Sequence, residues 1–561
     1  MLKIIRLFNT LRHLKLIQWV GRFKNLIPKI IPSAKHKLAI RKINIKWNSP
    51  AWREQSLFKN RQVKFLNKKG VILNSKDWKN KSSKLIWLYN LHYFDDLNSY
   101  NHQERKKLQR IWLKRWIEDN PPCSGVGWNP YSTSLRIVNW VKWALKNNTL
   151  SKVESTSLLI QIRWLFKNLE IQFLSNHYWS NAKALCFASA LFEGNEATKW
   201  RKKGIDILKS QLDEQCLRDG GHFERTPMYH SIFLEDILDL LNLCKIVPIL
   251  FDDYLKNKLI IKADLMLRWL KAMTHPDNDI SFFNDATLGI GPKTAVLIKY
   301  FEDVTESKFK YEISSSINLK ESGFIRLENK NLVCLCDVGS IKPDFNPGHS
   351  HAETLSFELS FKEKRIIVNS GISLYGRSKI RQKQRSTFSH STLEVDCLNS
   401  SDVWSGFRVG RRAKIINSKN DFKNNFVSAS HDGYKFLNGN PIHSRMWCLE
   451  ENQITIFDNV KSTESHLIKI IFIFHPYWEI EIFKNNVILI KERKSNKKIA
   501  FLIYERGLMP KKIKTTWNKE FGISIPNFAL YLEGNNELSM KKTTICFDPI
   551  KLNKLIQTIK E

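Results

Sequence analysis

Four short stretches concentrate the residue types that move protons. Ser175-Asn-His-Tyr-Trp-Ser-Asn-Ala-Lys sets Asn176 and His177 at the head of an apolar helical run. Asp219-Gly-Gly-His-Phe-Glu-Arg-Thr-Pro-Met-Tyr-His packs two His, Glu224, Arg225 and Tyr229 into a loop before a helix. Asn346-Pro-Gly-His-Ser-His-Ala-Glu carries His349 and His351 two apart, so an extended chain presents both on one face. Arg385-Ser-Thr-Phe-Ser-His-Ser-Thr contains His390. Loops beside regular elements supply catalytic groups more often than the elements do. For Asn176 the competing role is a helix N-cap.

The chemistry these residues suit is β-elimination at a uronate. The carboxylate must be neutralised so that the C5 proton becomes acidic, and Asn and His donors do this. A base takes that proton and an acid protonates the departing O4, roles open to Tyr and His. The sequence has no GxSxG nucleophile elbow, no P-loop and no GxGxxG after a strand. His-x-His with a third His downstream is also a metal-like arrangement. Trp128, Tyr131 and Trp179 offer faces for sugar rings, with core packing as the competing role in a chain of 18 Trp. Arg225 and Arg385 fall inside the clusters and suit bidentate binding of acidic groups.

The elements that must position these groups fall into two kinds. Over residues 81–320 apolar residues recur at helical spacing: Leu108, Ile111, Trp112, Trp116; Leu158, Ile162, Leu165, Phe166, Leu169, Phe173; Phe233, Ile237, Leu240, Leu241, Cys244. Serial helices of modest length predict a helical array or toroid. From about 321 to 561 the period becomes two, as where Leu355, Phe357, Leu359 and Phe361 alternate with polar residues, predicting a half-buried strand. Strands following helices predict segregated domains, the second an antiparallel β-sandwich. Residues 1–80 read as a basic helical extension.

At 561 residues, 42% hydrophobic, the chain exceeds one core. Ninety Lys and Arg against 54 Asp and Glu give a formal charge of +36, which attracts anionic partners without specifying a fold. No nucleic-acid motif accompanies it. The nine Cys form no CxxC pairs and read as reduced. Near the start, Leu7, Phe8, Leu11, Leu14 and Ile17 recur at helical spacing among Lys and Arg, too interrupted for a signal-peptide core or a membrane span. This stretch predicts either a helix docked on its own protein or a peripheral membrane contact. The compartment expected is the cytoplasm or its membrane face, with the periplasm as the alternative.

Taken together, the four clusters resemble the heparinase II/III-like and alginate-lyase-like polysaccharide lyases. The resemblance implies an (α/α) toroid followed by an antiparallel β-sandwich. It implies that Asn176 and His177 neutralise the substrate carboxylate, that Tyr229 is acid or base, and that His349 assists. It further implies a structural zinc on His351, His390 and an Asp; Asn369 stands at that Asp position, and an amide is the poorer ligand. Trp128-Asn-Pro-Tyr-Ser-Thr-Ser-Leu-Arg and Trp404-Ser-Gly-Phe-Arg resemble the subgroup tied to bacterial capsule and O-antigen clusters. The partner implied is an acidic polysaccharide. A uronate C5-epimerase and a non-catalytic glycan-binding protein are the alternatives.

Overall fold

The computed structural model describes residues 2–560 apart from 34, 147–148, 314, 484–485 and 538–539. Two short helices, α1 (Leu2–Leu11) and α2 (Leu16–Lys24), and a hairpin (Gln62–Phe65 with Lys68–Val71) precede the helical domain. That domain comprises α3 (Leu85–Tyr93), α4 (Lys106–Asp119), α5 (Pro130–Leu145), α6 (Lys152–Lys167), α7 (Asn176–Leu191), α8 (Asn195–Gln215), α9 (Pro227–Ile246), α10 (Asp253–Ala272) and α11 (Thr294–Thr305).

Sequence explains which helices line the inside. In α5, α7 and α9 nearly every residue is buried, and α7 admits only small or apolar residues between Ala182 and Leu191 apart from Lys183 and Ser189. Helices apolar or small all round belong inside. Helices α4, α8 and α10 bury one face only, so they form the outer layer of the toroid. Three positions of the predicted stripes differ, Leu169 among them, since α6 ends at Lys167. Ile111 is exposed, because Trp112, Leu113 and Trp116 take the core face of α4. Phe173 lies beyond the end of α6, in the loop leading to α7.

The strands of the second domain begin at Ile317. A five-stranded antiparallel meander runs from Ile317–Leu319 to Lys364–Ile367. An eight-stranded sheet and a four-stranded sheet complete the sandwich, and one core joins all three through Ile325, Phe357, Trp447, Ile456, Ile470 and Leu530. The strand Phe357–Phe361 is buried on both faces, not one. Its polar face seals against the helical domain. Glu358 accepts from His275 Nε2 at 2.9 Å and from the Phe282 amide at 3.0 Å, and Ser360 meets His275 Nδ1 at 2.8 Å. A period-two pattern marks polar residues as outward, but hydrogen bonding buries them equally well.

The N-terminal helices also differ from expectation. They lie on the protein, but Leu7, Phe8 and Ile17 point away from it. Among the described residues no helix is long and apolar enough to cross a membrane. Cys334 and Cys336 are buried free thiols whose sulfurs share a 3.6 Å hydrogen bond.

Candidate active site

The inner helices α5, α7 and α9 deliver their first turns to one place. Tyr131 is the second residue of α5, Asn176 and His177 open α7, and Tyr229 is the third residue of α9. Pro130 and Pro227 occupy the first helical position, where a missing N–H costs nothing. Helix N-termini carry partial positive charge, which favours a carboxylate near them. These residues line a cavity of about 1260 Å³, whose opposite wall comes from the sandwich through His349, Tyr375 and Phe407.

Tyr131 stacks on His177, with ring centroids 4.2 Å apart and planes within 19°. His177 Nδ1 lies 3.2 Å from Glu170, which commits that nitrogen and leaves Nε2 for a ligand. Across the cavity the Tyr229 and Tyr375 hydroxyls are 3.0 Å apart, and the Tyr229 ring lies 4.2 Å from that of His349. Burial, reinforced by Tyr375 and Tyr131, pushes the Tyr229 phenol well above its usual value, so it holds its proton. His349 Nδ1 is 2.8 Å from Asp285.

Asp285 anchors this wall. It takes a two-pronged ion pair from Arg381 (one contact at 2.6 Å) and lies 2.8 Å from His351 Nε2. Burial pushes its carboxyl up, but Arg381, His349 and His351 outweigh burial and hold it well below the ordinary range. The pairing fixes the His349 ring with Nε2 as its remaining acceptor.

Of the residues read from sequence, Asn176, His177, Tyr229, His349, Tyr131 and Trp179 line the cavity. Asn176 does not cap α7; Ser175 precedes the helix, and its hydroxyl donates to Asn176 at 3.1 Å. Three others stand outside it. Trp128 is core, its indole N–H donating to the Asn120 carbonyl at 3.3 Å. Arg225 donates to the Ser340 and Glu321 carbonyls. Arg385 donates to the Ser350 carbonyl at 2.7 Å and is fully buried. Both guanidiniums are occupied by backbone acceptors, so neither is free to take a substrate carboxylate.

Sequence reading missed Tyr375, Asp285 and Arg381. Asp285 carried a signal, an acid within the otherwise buried Ser281-Phe-Phe-Asn-Asp-Ala run. Tyr375 and Arg381 carried none. Glu224, inside the second cluster, received no role; it is 1% exposed, and among the described residues neither of its carboxylate oxygens has a hydrogen-bond partner. Burial raises its pKa.

Family models match this architecture along most of its length. The heparinase II/III N-terminus matches residues 15–308, and the heparinase II/III-like C-terminal region matches 314–538. The chain belongs to the heparinase II/III family. Within that family it is 26% identical over 246 residues to a heparin-sulfate lyase of Bacteroides stercoris, covering 40% of this chain and 36% of that protein. It is 25% identical over 247 residues to one of Pedobacter heparinus, with the same coverage. The match thus spans about a third of these relatives' length. A solved heparinase III superposes with TM-score 0.62 at 16% identity, covering 94% of this chain and 89% of that one. A heparan sulfate lyase HepC mutant from Pedobacter heparinus gives 0.61 at 17%, covering 95% and 87%. These likenesses establish the toroid-plus-sandwich fold.

The metal centre implied for this heparinase II/III family member can be tested on its side chains. His351 Nδ1 and His390 Nε2 face each other at 3.2 Å. Tetrahedral zinc with nitrogens at about 2.0–2.1 Å holds two of them about that far apart. Glu353 lies 2.9 Å from His390 Nδ1, and the three residues gather ligand atoms within 4.8 Å. Asn369 instead accepts from Ser391 N at 3.3 Å and lies 3.2 Å from His390 Nδ1. Glu353 is the carboxylate gathered with these histidines, and it and Asn369 both meet His390 Nδ1, the ring nitrogen turned away from His351. Two imidazoles and one carboxylate are donor types that suit zinc.

Proposed function

We propose that this protein is a polysaccharide lyase that cleaves a uronate-containing chain by β-elimination. The observation that carries the reading is the contact of the Tyr229 and Tyr375 hydroxyls beside His349, in the cavity that Asn176 and His177 also line. The helix N-termini, Asn176 and His177 neutralise the carboxylate. His349 Nε2 accepts the C5 proton, with Asp285 holding the ring. Tyr229, which keeps its proton at rest, donates to the leaving O4, and Tyr375 supports the phenol. When bound, zinc on His351, His390 and Glu353 would brace the strand-side loop that carries His349.

Elimination fits better than epimerisation. The two phenols and His349 form one locus, whereas an epimerase must return the proton from the opposite face of C5.

The cavity also bears on the substrate. Seven cationic side chains line it against six acidic ones. Lys183 is bound by Asp236 at 2.5 Å and also pairs with Asp239, Lys142 is bound by Asp239 at 2.5 Å, and Arg53 faces Asp95 and Glu235 at 3.5 Å each. These three are the buried or half-buried cations of the cavity, and paired cations bind sulfate poorly; Lys64, Lys84, Lys293 and Arg377 line it as exposed residues. The relatives named above are heparin-sulfate lyases; this chain's cavity suits an unsulfated uronan, such as a capsule or O-antigen chain. The test is incubation with sulfated and unsulfated uronans while following the ultraviolet absorbance of unsaturated uronate. Absorbance that Tyr229→Phe abolishes supports the reading. C5 hydrogen exchange with solvent and no absorbance would overturn it.

A further inference from the structure

We propose that α1, α2 and the segment that follows form a docking surface for an anionic lipid bilayer. The inference stands apart from the lyase reading and rests on how these helices are attached.

Four of their residues, Arg6, Lys15, Gln18 and Gly21, fasten them to the protein. Arg6 makes two bonds to Asp402, each 2.8 Å, and Lys15 pairs with Glu214. Gln18 is buried and donates to the Gln172 and Phe345 carbonyls at 3.1 and 3.4 Å. Gly21 seats so closely that a Cβ there would come within 2.8 Å of the Gln172 backbone.

Their apolar side chains face outward. Ile4, Phe8, Leu16, Val20, Phe23 and Leu26 are 53–80% exposed. A helix normally buries these residues against its own core. Here the arrangement is inverted, and rows of exposed apolar residues mark interaction sites.

Charge names the occupant. Thirteen Lys and Arg precede Glu54, and no Asp or Glu does. Arg12, Arg22, Lys24 and Lys29 are exposed among the apolar residues. Leu, Ile and Phe beside Lys and Arg are what an interfacial helix presents to acidic headgroups. A second copy would bring the same cations against themselves. The chain's excess positive charge is not spent in the cavity, where acids nearly balance the cations.

The surface adjoins the cleft. Gln172 and Phe345, which hold Gln18, immediately precede Phe173 and Asn346, which line the cavity. Docking would bring the cavity mouth to a glycan anchored at the membrane.

The experiment is flotation of the full-length protein, without glycan, on vesicles of phosphatidylcholine alone and of an about 3:1 mixture with phosphatidylglycerol. Expected is binding to the mixed vesicles that rising salt releases. Phe8→Glu/Phe23→Glu and Arg22→Glu/Lys24→Glu should each weaken partitioning by about 10-fold or more with an unchanged melting temperature. Ile4→Ser/Leu26→Ser, milder at the same face, should weaken it if the first pair fails to fold. Absence of flotation overturns the proposal, as does flotation indifferent to all three variants. Concentration-dependent self-association that Phe8→Glu/Phe23→Glu abolishes, without lipid binding, also overturns it and gives the face to a second copy.

Discussion

Tyr229 and Tyr375 reach each other from different domains, their hydroxyl oxygens 3.0 Å apart. One phenol opens an inner helix of the toroid; the other follows the strand Lys364–Ile367 of the sandwich. The pair is a direct target for substitution. Tyr229→Phe should lower kcat/KM by about 100-fold to 10,000-fold, the range for a lost general acid. Tyr375→Phe should cost less, about 10-fold, since it supports the proton donor. Initial rates of unsaturated-product formation, with circular dichroism to verify folding, check both.

Asp285 is the only carboxylate that the described residues place on His349, His351 and Arg381 together. Asp285→Asn keeps the shape and removes the charge, stranding the buried Arg381 guanidinium. Breaking a buried pair from one side costs about 3–5 kcal/mol. Chemical denaturation should register that loss. If stability is unchanged, the assignment of Asp285 as anchor fails.

Glu224 predicts a pH dependence of opposite kind to a salt-bridged acid. Burial raises its carboxyl pKa in the fold, whereas the unfolded chain ionises it at the ordinary value. Folding stability therefore declines as pH climbs from the ordinary glutamate value toward the raised one. Glu224→Gln removes that decline. The variant should match the parent at acid pH and exceed it near neutrality by about 1–2 kcal/mol, as for relief of an unsatisfied buried group. Denaturant midpoints across the pH range give the answer.

Zinc content can be read directly by atomic emission on purified protein. Glu353→Gln and His390→Ala should each strip the metal, whereas Asn369→Ala should retain it. A metal-free parent protein would mean that His351 and His390 share a proton across their 3.2 Å contact.

Substrate preference follows from the paired cations. Unsulfated uronans should be turned over at least about 10-fold better than heparin, a difference of about 1.4 kcal/mol in transition-state binding. Equal rates on both would contradict the reading drawn from Lys142, Lys183 and Arg53.

Much of this architecture was legible in residue order. The change from helical to strand periodicity separates the toroid from the sandwich, and three of the four proton-handling clusters bring Asn176, His177, Tyr229 and His349 to the cavity. What was lost has definite causes. Arg225 and Arg385 sit in the right clusters, but their guanidiniums answer backbone carbonyls, which no spacing announces. Glu358 and Ser360 read as outward because alternation cannot distinguish water from a facing domain. Tyr375 and Arg381 act across the domain junction, and contacts made only in three dimensions leave no local pattern.

The seam between toroid and sandwich has an evolutionary consequence. Neither half carries a complete set of proton-handling groups, so exchanging one half with that of a distant relative would leave Tyr229 facing a stranger's histidine. The two modules are bound to drift together, and natural shuffling of this sandwich onto other helical scaffolds should yield binders rather than enzymes.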